Sequence, residues 1–370
     1  MPLRLKRLWI VTLAPFSAAL SYIAQMRPGL TERFFSRGLY RALTESYGRV
    51  FGFIPFSAAQ FLIVLLPILA AAYVTRKVWI ILKKPEQRRR AAARFSVNAV
   101  CALCVAWFMF TVLCGLNYSR ESYAASAGLD ARGSDAEELA LLYDELVSRV
   151  NECSSLVTRN GESQTAPDGA GTRPLAARVK SVFGAAAENR PQLAGFVPLP
   201  KPVLYSRLMS YADITGMYFP FTMEANVNAD VCSYLIPASM AHELAHVKGY
   251  MREDEANYIA YLVCAESGIP ELAYSGLMLA LSHTSGQLWR ADPEAYMRIT
   301  GGLAEAVLAD LSANREYWKR FEGPVAEFSN SANDSYLKMN RQRDGIQSYG
   351  RMVDLLLAER RARLDAFNKP

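Results

Sequence analysis

His242, Glu243 and His246 lie in the segment His242-Glu243-Leu244-Ala245-His246, and the whole chain holds only 3 histidines. On a helix, residues four apart share a face about 5–6 Å apart at Cβ, so both imidazoles can reach one Zn²⁺. Glu243, one residue along, projects beside that metal, where a carboxylate can take a proton from a bound water. The chemistry this spacing predicts is metal-assisted hydrolysis. Two histidines satisfied on a buried helix would show the same spacing without a metal. A third ligand separates the two readings.

Gly249 can end the motif helix in a left-handed cap, and Arg252-Glu253-Asp254-Glu255-Ala256-Asn257 opens a second helix behind it. Glu253 shares its face with Ala256, Asn257, Ala260 and Cys264, all small, so that face can approach the motif helix closely. Glu255 shares its face with Tyr258, Leu262 and Glu266, which is bulkier. Glu253 is therefore the expected third ligand and Glu255 the alternative. The acidic cluster also suits the positive end of a helix dipole. Three candidates could donate to a developing oxyanion: His283, Tyr336 and Tyr349. His283 precedes Thr284-Ser285-Gly286 and reads as a loop or cap residue, and tyrosine is abundant at 19 copies.

The elements that must position these residues are mostly helical. An acidic capping sequence from Ser134 opens a helix to about Cys153, residues 160–173 read as a flexible loop, and the three prolines of 196–204 require extended chain. From Thr222 to Ala229 the chain alternates, with Thr222, Glu224, Asn226 and Asn228 on one face and Met223, Ala225, Val227 and Ala229 on the other. That pattern predicts a strand with one polar face. Its nearness to His242 makes Glu224, Asn226 and Asn228 candidates for lining a substrate cleft.

Three apolar stretches, roughly 8–25, 54–75 and 97–116, are long enough to cross a bilayer of about 30 Å. The first also has the makings of a cleavable signal, with a basic start and Ser17-Ala18-Ala19. Residues 1–118 carry 16 Lys+Arg against 3 Asp+Glu, a net +13, while the rest of the chain is acidic. The basic excess thus sits in the apolar third, which argues for a lipid bilayer and against nucleic acid as a partner. Lys and Arg before the first stretch and between 76 and 94 put both regions in the cytoplasm by the positive-inside rule, and residues 119–370 outside. Cys101 and Cys104 form a C-x-x-C inside an apolar helix and read as small apolar fillers.

The element Glu253-x-x-Ala256-Asn257 resembles the third-ligand motif of the gluzincin clan of zinc metallopeptidases. The resemblance implies Glu253 as ligand and Asn257 as support for a ligand histidine, with Asn257 where many relatives have Asp. Over nearly the whole chain, Ile54-Pro55-Phe56-Ser57, Gly115 to Arg120, Pro220 to Asn228, the HELAH segment and Ser348-Tyr349-Gly350 resemble the bacterial membrane-protein family catalogued as domain of unknown function 3810. The resulting expectation is a mainly α, α+β chain. Residues 1–118 would form a membrane domain with three transmembrane helices, and residues 119–370 an extracytoplasmic zincin-like metallopeptidase domain at the bacterial cytoplasmic membrane. It would use Zn²⁺ and Glu243 to cut a peptide or protein substrate, as an endo- or aminopeptidase. The alternatives are an intramembrane zinc protease and a non-enzymatic interaction protein with a structural zinc.

Overall fold

A computed structural model of the chain describes residues 5–160, 164–165, 171–340 and 351–367. Tyr349 and most of the 160–173 stretch lie outside these residues. The fold is mainly helical with one small sheet, and three helices are long and apolar enough to span a membrane: Arg7–Met26, Ala58–Lys83 and Pro85–Leu113. In the first, a 3-10 turn leads into α1 (Leu13–Met26). The second is α2 (Ala58–Lys83), which starts later than the expected residue 54 because Ser57 caps it, its hydroxyl accepting from the Gln60 amide at 3.1 Å. The third contains α3 (Arg88–Leu113).

Residues 76–94 are not the connector expected. They continue both helices, leaving only residues 84–87 between them. Lys and Arg stems can cover apolar surface while their heads reach water, so charge at helix ends does not force a loop. The stretch between the first two spans is likewise not a plain connector. Residues 28–52 form continuous helix, mixing α and π turns.

Beyond the spans, α4 (Ala136–Ser154) is capped by Asp135, one residue later than the sequence pattern suggested, and α5 (Thr172–Glu188) follows. The sheet has β1 (Lys201–Pro202), β2 (Gly216–Phe219) and β3 (Glu224–Val227) in the order β1-β3-β2. β3 is central, parallel to β1 and antiparallel to β2, with Phe219 opposite Glu224 and Gly216 opposite Val227. Helices α6 (Leu235–Val247), α7 (Glu253–Ala265) and α8 (Pro270–Ala291) pack on one another, with α4 against α8 and β3 against α6. Their facing side chains make the main apolar core. Next come α9 (Pro293–Thr300), α10 (Glu305–Lys319) and α11 (Pro324–Met339), of which α11 buries only Leu337 among its described residues. Last, α12 (Met352–Phe367) returns to pack on α7 and α8.

Candidate metal centre

The motif helix α6 tolerates Pro237 because it lies in the first turn, where amides have no partner in the helix anyway. Its end is a Schellman turn: Gly249 donates to the His246 carbonyl at 2.9 Å and Tyr250 to that of Ala245 at 3.1 Å. Gly249 adopts φ +84°, and a Cβ there would also press on Asn117 at 3.1 Å. This turn sends the chain straight back into α7, whose fully buried Ala256 and Ala260 let it lie close to Ala241 and Ala245 of α6.

The short approach brings three side chains together. His242 Nε2 lies 3.2 Å from Glu253 Oε2 and His246 Nε2 lies 3.6 Å from Glu253 Oε1. One ligand atom from each of the three residues falls within 4.8 Å of the others. The outer ring nitrogens are committed: His242 Nδ1 is 2.7 Å from Asn257 Oδ1, and His246 Nδ1 is 2.7 Å from the Tyr250 carbonyl. A carbonyl oxygen only accepts, so Nδ1 of His246 carries the proton, and the amide oxygen of Asn257 places one on His242 in the same way. Both Nε2 atoms then converge on the Glu253 carboxylate oxygens. A proton on His242 Nε2 can bridge that ring to Glu253, and a cation in its place would find two imidazoles and one carboxylate, a donor set of the kind zinc takes. Burial disfavours charge on both rings while the Glu253 carboxylate favours it. At His242 the carboxylate wins and the pKa is raised to about 9; at His246 burial wins and it is lowered to about 4.

Glu243 is buried beside this cluster, and its Oε2 has no hydrogen-bond partner. Burial, with the Glu253 charge adding, pushes its carboxyl up to about 8 against the opposing pull of His242 and of the Tyr218 backbone amide. Gly216 of β2 packs so tightly on it that any Cβ would run into the Glu243 side chain. Glu255, the alternative ligand, points elsewhere. Its carboxylate accepts from the Tyr123 amide at 2.7 Å and pairs with Arg252 at 2.8 Å.

A cleft of about 990 Å³ runs past the cluster, between β2 on one side and α11 on the other. His283 lines it, but from within α8 rather than from a loop or cap; burial first and the His242 charge second push its imidazole down to about 4, so it is neutral. Tyr336 lines it from α11, its hydroxyl 3.0 Å from that of Tyr118.

The expected polar strand face is placed differently. Glu224, Asn226 and Asn228 are buried and do not line the cleft, because β3 is the central strand and is covered on both faces. Glu224 pairs with Lys201 and accepts from the Ala58 and Ala59 amides at 3.1 and 2.8 Å, capping α2. Asn226 donates to the Met217 carbonyl, and Asn228 to Ser210 and the Ile214 carbonyl. The strand at the cleft is β2, which sequence reasoning did not single out: Gly216-Met217-Tyr218-Phe219 carries no alternation of polarity.

The fold and site define a mainly helical chain with three candidate membrane-spanning helices and a His-His-Glu cluster beside a buried carboxylate. It belongs to the family described as protein of unknown function (DUF3810), whose model matches residues 35–357. No curated protein and no solved structure matches the chain.

Proposed function

We propose that this protein is a membrane-anchored, zinc-dependent metallopeptidase with a zincin-like domain on the extracytoplasmic side, in which His242, His246 and Glu253 hold the metal and Glu243 is the general base. The observation that carries this reading is the convergence of two imidazole Nε2 atoms and a carboxylate, each ring pinned through Nδ1, beside a buried carboxylate with an unpartnered oxygen. Bound there, zinc would polarise the scissile carbonyl and acidify its water. With a cation held by Glu253 offsetting the burial and negative charge that raise its carboxyl, Glu243 would be ionised, take the proton of the attacking water and deliver it to the departing amine as the C–N bond breaks. β2 is an edge strand, and its outward backbone groups not taken by Glu243 can pair with an extended substrate, while Tyr336 and neutral His283 are within the same cleft to donate to the oxyanion.

A purely structural zinc would have no use for a base beside it. An intramembrane protease is disfavoured because α6, at 13 residues, is too short to span a bilayer and stands apart from the three apolar helices. The test is Glu243→Gln in protein reconstituted in vesicles. Peptide-bond cleavage should fall by at least about a hundredfold while one zinc per chain is retained; unchanged cleavage would overturn the assignment.

A further inference from the structure

The cleft opens onto the outer end of a membrane-spanning helix. Phe110, inside the third span, and Cys114, just past its end, line the same cavity as His242, Glu243 and Glu253. Tyr218 of β2 donates from its hydroxyl to the carbonyl of Leu113, the last residue of α3, at 3.1 Å.

The register of β2 ties it to the second span as well. Phe219 pairs with Glu224, and Glu224 holds the first two amides of α2, so this end of the strand sits at the outer start of the second span. Gly216, three residues along the strand, is the residue packed on Glu243, and the ring of Tyr218 between them lies 6.3 Å from that of His246. The opposite wall also reaches the third span, where the Tyr336 ring lies 6.2 Å from that of Phe110. Tyr336 of α11 meets Tyr118 just past the third span, and Asn330 of the same helix bonds Asp213 ahead of β2 at 3.0 Å. Around the start of the second span Phe53, Phe56 and Leu204 are exposed, as suits a surface resting on lipid, and the Leu204 amide donates to Gln60 of α2 at 2.9 Å.

A groove walled by an edge strand and a helix, each touching the outer end of the third span through Tyr218 and Tyr336, fits a chain that leaves the membrane in extended form. We propose, on the peptidase reading above, that the substrate is a polypeptide anchored in the same bilayer and cut within about ten residues of the membrane surface. Such a chain would emerge beside the third span, add to the edge of β2, and bring its first extramembrane peptide bonds past Glu243. Hydrolysis would release the outer part of the substrate and leave the anchor in the lipid.

The test uses the full protein co-reconstituted in phosphatidylethanolamine and phosphatidylglycerol vesicles with a single-span model protein that carries a long randomised outer segment. Released fragments are mapped by mass spectrometry. Cuts should cluster beside the membrane, and the same segment offered free in solution should be cut about tenfold or more slowly. In a second substrate, a rigid helical spacer of about 20 residues, about 30 Å long, lifts the segment while keeping it anchored. Cleavage of the lifted segment should then be lost. If lifted and unlifted segments are cut alike, or cuts scatter evenly along the segment, the membrane-proximal inference is overturned while the peptidase reading stands. If neither anchored nor free segment is cut by wild type more than by Glu243→Gln, both fall together.

Discussion

Which ring nitrogen carries the proton is decided at His242 and His246 by what faces Nδ1, and the two supports differ in kind. The Tyr250 carbonyl belongs to the backbone turn and cannot be removed by substitution, whereas the Asn257 amide can. Asn257→Ala should weaken zinc binding by about 10–100-fold in a chelator competition, with the fold intact; unchanged affinity would show that the amide does not orient the ring. Glu253→Gln should cost the metal. Glu255→Gln should leave it and instead lower the unfolding midpoint, because that carboxylate holds the Tyr123 amide and Arg252. The reverse order would make Glu255 the ligand. Their placement was legible in advance because helix periodicity is a local rule: Glu253 lies on the small-residue face and Glu255 does not. Tyr118, Tyr218 and Gly216 were not legible, since each acts through a neighbour distant in sequence and nothing in their type or spacing marks them out.

At the scale of elements, the alternation expected from Thr222 to Ala229 is a strand only over Glu224–Val227, because Met223 sits in a turn at φ 53°, and period two says nothing about what covers each face. The polar face meets the start of α2, Lys201 and Ser210, all supplied by other parts of the chain. Its polarity therefore serves buried hydrogen bonds. Glu224→Gln should leave Lys201 as an uncompensated buried charge and weaken the cap of α2, lowering unfolding free energy by about 3 kcal/mol with zinc retained. Lost turnover without lost stability would instead return Glu224 to the cleft. The opposite behaviour is expected on β2. Gly216→Ala adds one methyl against the Glu243 side chain, so turnover should drop by about tenfold or more while zinc stoichiometry and the unfolding midpoint change little. Full activity in Gly216→Ala would mean that β2 and Glu243 do not set each other's positions. Helices α6 and α7 needed no such correction, because a Gly-ended amphipathic run carries its own boundary signals.

For the whole molecule, a boundary at residue 118 divides what the structure joins. Residues 28–52 lie between the first two spans, yet they are built into the body beyond the third. Arg120 grips Glu32 through two 2.8 Å bonds, donates to the Lys248 carbonyl at the end of α6 at 3.0 Å, and stacks on Tyr250 at 3.8 Å. Ser36 bonds Asn117, Tyr47 bonds the Phe221 carbonyl, and Tyr40 meets Tyr218. Two spans separate residues 28–52 from this body, so parity puts them on the same side of any membrane the three helices cross, as these contacts require. The basic residues around the turn at 84–87, Lys83, Lys84 and Arg88 to Arg90, then face the other side; the positive-inside rule predicts that this side is cytoplasmic, so a reporter fused after Pro370 should behave as exported.

The Glu32–Arg120 pair also gives the assembly a defined acid response. Burial raises the Glu32 carboxyl, but the Arg120 and Arg37 guanidinium groups outweigh it and the net direction is below 4.5. A carboxyl lowered on folding contributes stability that is fully present above its unfolded value and is lost as pH falls through the folded one. Glu32→Gln should therefore be less stable than wild type near neutral pH by about 3 kcal/mol, because Arg120 is left buried without its partner. The gap should narrow as the pH falls below about 4.5. Denaturation of detergent-solubilised protein followed against pH measures both, and a gap that stays constant down the acid limb would show that Glu32 does not titrate with the fold.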